Sequence, residues 1–282
     1  MVLVTVAAVL MALLFLLFKA FDRRRIALLP AITINYFTAL ACGLAVSRPW
    51  TAGDLGPLWA PALVLGALFI GVFHLMGSSA QRAGLAATTV ASKMSLVLTV
   101  AFGMLFLGEA QRPLGLVGIA LAIIGIVLSA WQRDGRSTQR AWALPLLLFL
   151  GNAAVDIGLA WTQRTRTTPS TEAVLPTVVF GIAGVLGIVA VVLRGEQGAF
   201  RDARTWAGGL VLGGVNYACL FFVVKALARS GMPSSSVFPL MNIGVILLGT
   251  LGGMLLFGER PQRPQLAGIA TAVGAMLLIL LA

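Results

Sequence analysis

Two charged residues fall well inside stretches apolar enough to cross a bilayer. Lys93 sits near the middle of GLAATTVASKMSLVLTVAFGMLFLGE (84–109), and Asp156 sits within 141–162. A charge at the bilayer centre costs about 2.5–3.5 kcal/mol on insertion scales, so such residues face a bundle interior and find partners there. An ammonium and a carboxylate offer several uses. They can form a static salt bridge that fixes packing. They can hold the two ends of a zwitterion, or the carboxylate can take up a proton and release its partner. Residue types alone leave the static and the functional readings open.

Other polar groups lie at similar depth. Thr88, Ser92, Ser95 and Thr99 recur at helical spacing on one face, and Lys93 borders that stripe. Small hydroxyl residues line cavities but also mark close helix packing in membranes. Asn152 precedes Asp156 by one turn, on the same face. Asn216 and Tyr217 lie near the middle of a further stretch, and Asn242 lies in the next. Tyr36, with Asn35, is expected to bond neighbouring helices, because a buried phenol needs a partner. His74, the single histidine, could relay a proton near neutral pH or simply bond a neighbour. Pro239 and Pro176 free backbone carbonyls and can kink their helices.

These residues need a scaffold, and composition names it. Of the 282 residues 59% are hydrophobic and only 10% charged. Polar residues on that scale cannot cover a soluble domain, so the bilayer is the solvent that fits. A span takes roughly 20 apolar residues. About ten such windows occur, near 2–20, 28–47, 57–79, 84–107, 113–131, 141–162, 172–193, 206–228, 234–257 and 263–281. The first lacks a basic leader and is read as a retained span. All six tryptophans fall at span ends or in loops, as an interfacial belt requires. Cys42 and Cys219 lie within spans and read as packing residues. The formal charge of +11 is spread over short loops without a cluster or motif, so nucleic acid is excluded as a partner. The fold class is therefore an all-α membrane protein in a lipid bilayer, with a bacterial inner membrane as the expected location.

The stretch around Lys93 has a counterpart at 231–259. Thr88-Thr89-Val90 aligns with Ser235-Ser236-Val237 and Lys93-Met94-Ser95 with Leu240-Met241-Asn242, at a shift of 147. Gly103-Met104-Leu105 aligns with Gly253-Met254-Leu255, Gly108-Glu109 with Gly258-Glu259, and Gly118-Ile119-Ala120 with Gly268-Ile269-Ala270, at a shift of 150. The chain thus reads as two five-helix repeats, 1–135 and 136–282. Five is odd, so the repeats would enter the membrane from opposite faces, an inverted plan common among secondary transporters. In each Gly-Glu turn the glycine can take the left-handed conformation that stops a helix. The carboxylate is expected to cap the N-terminus of the following helix.

Two five-span halves, each with a Gly-Glu turn before a terminal apolar span carrying Gly-Ile-Ala, resemble the drug/metabolite transporter superfamily in its EamA-type branch. That resemblance implies ten spans, a central cavity lined by spans 1, 3, 4, 6, 8 and 9, and spans 5 and 10 at the periphery; it thereby makes Tyr217, on span 8, the aromatic candidate for a cargo site. It also implies cytoplasmic termini.

Among function classes, hydrolytic motifs, paired membrane aspartates and a P-loop are all absent from the sequence, so neither an enzyme nor a self-contained ATP-driven pump is expected. No metal site and no cofactor is expected. Channel filter motifs are missing too. A secondary transporter working by alternating access fits best, with a small polar metabolite as cargo and protons as a coupling option. The Lys93–Asp156 combination suits an amino-acid-like zwitterion. Export of organic cations or drugs, exchange of organic anions or phosphate, and a non-transporting scaffold are the alternatives. A monomer or a homodimer is expected.

The loops after odd-numbered spans carry more arginine (Arg23–Arg25, Arg82, Arg133, Arg136, Arg140, Arg194, Arg201, Arg204, Arg260, Arg263) than those after even-numbered spans. The richer side belongs in the cytoplasm, the reverse of the orientation that the resemblance implies. An impermeant thiol reagent applied to intact cells should therefore label Thr51→Cys and spare Ser137→Cys. The opposite pattern would place the termini in the cytoplasm.

Overall fold

The computed structural model describes residues 2–106, 113–129, 143–168, 170–172, 174–229, 231–232 and 234–281. Every α or 3₁₀ element among them is helical. The α-helices are α1 (Val2–Arg23), α2 (Leu28–Ser47), α3 (Trp59–Arg82), α4 (Leu85–Phe106), α5 (Pro113–Ser129), α6 (Ala143–Arg166), α7 (Leu175–Leu193), α8 (Ala203–Arg229), α9 (Ser234–Phe257) and α10 (Arg263–Leu281). Nine of these are long and apolar enough to span a bilayer, and α5 contributes a shorter apolar segment, Val117–Ser129. Helices dominate because hydrocarbon offers backbone N–H and C=O groups no partners outside their own segment. Trp50, Trp59, Trp161 and Trp206 are exposed near helix ends or in the 3₁₀ turn at Pro49–Thr51.

The chain forms two compact units, and neither coincides with a sequence half. One holds Met1–Lys19, Leu75–Ala153 and Cys219–Ala282; the other holds Ala20–His74 and Ala154–Ala218. In the first unit α4, α5, α9 and α10 pack through Val90, Met94, Val97, Ile126, Ile246, Ile269 and Met276. Small residues let α5 and α10 approach closely and run antiparallel. A Cβ on Gly268 would collide with the backbone of Gly125 and Ser129, and one on Gly118 would meet Ile279 and the Ala275 carbonyl. In the second unit α2 and α7 are likewise antiparallel, with Gly43 against Thr177 and Gly187 against Thr33. Ser47 and Thr177 share a hydrogen bond at 3.0 Å.

One carboxylate organises an end of the first unit. Gly258, at φ 67°, closes α9, its N–H donating to the Met254 carbonyl. Glu259 then folds back, its own N–H donating to the Gly253 carbonyl. A side chain at position 253 would stand 2.8 Å from Glu259 Oε2. The sequence placed this carboxylate at the start of the following helix, α10. It instead caps α4: Leu85 N–H donates to Glu259 Oε2 at 2.9 Å, beside Gly84 at φ 90°. The start of α10 has its own acceptor, since Gln262 N–H donates to Gln265 Oε1 at 2.9 Å, the returning half of a capping box. Lys19 Nζ on α1 lies 3.0 Å from Glu259 Oε1 and donates to the Gln81 carbonyl at the end of α3. Gln81 in turn donates to the Phe18 carbonyl. The equivalent turn of the other half, Gly108-Glu109, lies outside the described residues.

Glu259→Ala removes an ion pair and leaves the Leu85 N–H without its acceptor. Reversible unfolding in mixed micelles should show a loss of about 1–3 kcal/mol. Glu259→Gln keeps an acceptor oxygen and should lose less. Equal losses would assign the whole effect to the ion pair, and no loss in either would show that the contact does not stabilise the fold.

Candidate functional site

In the first unit, α4 carries Ser92, Lys93 and Ser95 into a region shared with α1 and α9. Helical spacing puts Met11 and Phe15 one turn apart on α1, and both reach the Lys93 ammonium. Its Nζ lies 3.6 Å from Met11 Sδ and 5.9 Å from the centre of the Phe15 ring. An ammonium over a ring face is attracted by the ring's quadrupole, more strongly where water is scarce. Asn242 of α9 donates to the Lys93 carbonyl at 3.4 Å, a long bond that joins the two helices at this level. Ser95 and Asn242 are buried, while Lys93 is half-buried. Ser95 Oγ donates to the Ser92 carbonyl. Ser92 Oγ is buried and makes no protein hydrogen bond. A buried hydroxyl in that condition calls for a ligand, an ion or a water. Asn152, on the part of α6 in this unit, donates to the Leu148 carbonyl of its own helix.

The remaining candidates fall in the second unit. Asp156 and Tyr217 are both half-buried on their helices. Asn216 Nδ2 donates to Asn35 Oδ1 at 3.1 Å, tying α8 to α2, which pack closely where Gly209 meets Ile34 and Gly213 meets Thr38. Asn35 is fully buried. Tyr36, also fully buried, donates to the Phe69 carbonyl of α3 at 2.8 Å, in a cluster with Phe73 and Phe180. Both Asn35 and Tyr36 thus bond neighbouring helices, as the sequence suggested. His74 Nε2 stands 3.2 Å from an Arg194 guanidinium nitrogen. A guanidinium can only donate, so Nε2 is the acceptor in this contact.

Sequence reasoning missed Met11 and Phe15, because apolar residues of a spanning helix read as lipid-facing. Lys19 carried no signal of its own, because a basic residue at the end of a span is ordinary. Among the described residues no group of histidine, cysteine and acidic side chains could hold a metal.

Comparison with known proteins decides the family. A family model described as "Sugar transport protein" matches residues 72–282. The chain belongs to the sugar transport protein family. Relatives extend over most of its length. A Haemophilus influenzae protein of uncharacterised function is 26% identical over 276 residues, covering 93% of this chain and 92% of its own. A Lactobacillus helveticus protein named for sugar uptake is 22% identical, covering 90% and 97%. A Bacillus cereus protein named for glucose uptake is 24% identical over 77% of each chain. A crystal structure superposes with a TM-score of 0.64 over 99% of this chain and 96% of the other, at 16% identity, a likeness of fold alone. This sugar transport family member is a multi-pass bacterial membrane protein and a membrane transporter.

Asn216→Ala should leave Asn35 Oδ1 buried without its donor and lower stability by about 1–3 kcal/mol, read by thermal melting in detergent. Normal melting with impaired flux would instead move Asn216 from helix packing to the cargo site.

Proposed function

We propose that this protein is a secondary transporter that takes up a neutral sugar or a closely related polyol. The relatives named for sugar and glucose uptake support this cargo. The observation that carries the reading to particular residues is the surroundings of Lys93. An aromatic ring, a soft sulfur, an ammonium and an unsatisfied Ser92 hydroxyl lie on α1 and α4 of one unit. Small-molecule sites combine mostly apolar walls with a few placed polar groups in this way. A pyranose presents an apolar C–H face to an aromatic ring and hydroxyls to cations and amides. Asn242, whose amide makes only a long bond to the Lys93 carbonyl, is a further donor for such hydroxyls.

Two inverted repeats, 1–135 and 136–282, are part of this proposal, as is kinship with the drug/metabolite transporter superfamily. The packing within each unit supports the repeat. Gly66 of α3 abuts Ile182 of α7, and Gly213 of α8 abuts Asn35 of α2. Both members of that pair shift by the same amount, since 213 − 66 = 147 and 182 − 35 = 147, the register of the early sequence alignment. In the α5–α10 contact, 268 − 118 and 275 − 125 both equal 150, the register of the late one. Equivalent helices that run antiparallel suit an axis lying in the membrane plane.

Asp156 is assigned proton coupling on this reading, as a mid-membrane carboxylate able to change charge. Protein in liposomes should show saturable glucose counterflow, reduced roughly tenfold or more by Lys93→Met. Asp156→Asn should abolish stimulation of uptake by a proton gradient while sparing counterflow. Exchange of amino acids without sugars would overturn the cargo and favour the zwitterion reading.

A further inference from the structure

We propose that the first unit holds, apart from the cargo site, a binding site for a phosphate group. A cavity of about 280 Å³ opens where α1 and α3 end, α4 begins, and α9 turns into α10. Ligand pockets run about 300–1,000 Å³, so this one suits a single small group.

Its charge selects the ligand. Among the described residues Lys19, Arg82 and Arg260 line it, against Glu259 as the single lining carboxylate, and Gln262 and Gln265 add amides. Glu259 is committed to Lys19 and the Leu85 N–H. The two arginines therefore leave an excess of two positive charges facing the cavity. Guanidinium groups present forked donors that match phosphate oxygens in pairs. A neutral or cationic ligand would leave that excess uncompensated. Arg82 is the last residue of a spanning helix, and Arg260 lies in the turn between two others. The ends of spanning helices meet the headgroup region, where lipid phosphates lie. Two sources share this chemistry: the headgroup of an anionic phospholipid and a free phosphate.

The test uses the purified full-length protein in detergent and reads thermal melting. Phosphatidylglycerol, phosphatidylcholine and inorganic phosphate at matched ionic strength are the three probes. Phosphatidylglycerol or inorganic phosphate should raise the melting temperature by about 2–4 °C. Arg82→Gln with Arg260→Gln should remove that gain. Arg201→Gln with Arg204→Gln lowers the net charge equally in the other unit and should retain it. Arg260 is exposed in its turn, so Arg260→Gln alone offers a fold-preserving variant that should lose part of the gain. A shift with phosphatidylglycerol alone identifies a lipid headgroup; one with inorganic phosphate as well identifies a soluble phosphate. No shift with either, or an equal shift in the Arg82/Arg260 double variant, overturns the proposal. So does loss of the shift in the Arg201/Arg204 control. Melting reads binding and not flux, so failure here leaves the sugar reading standing.

Discussion

The Glu259 carboxylate is the contact on which one end of the first unit depends. Helix ends are the weak points of a membrane bundle. Each leaves backbone groups without intrahelical partners, and at the edge of the hydrocarbon water reaches them poorly. Glu259 meets this constraint for α4 with one oxygen and binds Lys19 of α1 with the other. Because Lys19 also holds the Gln81 carbonyl, four helices converge on a single side chain and its partners. The geometry explains three glycines at once. Gly258 supplies the left-handed turn, Gly84 supplies another before α4, and Gly253 leaves the carboxylate room to fold back. A carboxylate facing the positive end of a helix dipole while paired with a lysine is well matched on both sides.

Close helix approach is the second constraint. Lipid tails are as apolar as leucine, so burying apolar side chains drives association weakly, and van der Waals contact between small residues carries more of it. Both compact units follow this rule. Gly118, Gly125 and Gly268 draw α5 and α10 together, while Gly43 and Gly187 receive Thr177 and Thr33 between α2 and α7. Each unit takes helices from both halves of the sequence. Cohesion within each unit therefore follows contacts between the sequence halves.

Much of the architecture was legible because the bilayer imposes one length and one polarity on every span. Lys93 and Asp156 lie within α4 and α6, the helices that their apolar windows implied. Partners were harder to read. The Gly-Glu repeat marked Glu259, but the nearest helix start in sequence is that of α10, and the true partner, Leu85, is 174 residues away. A signal was available: Gln262 and Gln265 stand at the spacing of a capping box, which leaves α10 no need of Glu259. Asn35 and Asn216 are separated by 181 residues. Either amide alone fits helix packing or a cargo site, and only the fold chooses a neighbour. Met11 and Phe15 gave no signal, since their types do not distinguish a lipid-facing from an inward-facing position.

On the proposed reading, the surroundings of Lys93 select the kind of cargo. Phe15 and Met11 give its ammonium polarisable contacts on α1. An ammonium carries three donors, so a cargo oxygen can join these contacts. A carboxylate would bind it strongly, yet a transporter must also release its cargo, and a ligand moves the equilibrium between conformations only by its difference in affinity for them. Sugar hydroxyls donate and accept in the same place. They can accept from the ammonium and complete the Ser92 hydroxyl while adding no net charge to the membrane interior. On the proposed reading the change of charge that coupling requires falls to Asp156 and not to Lys93.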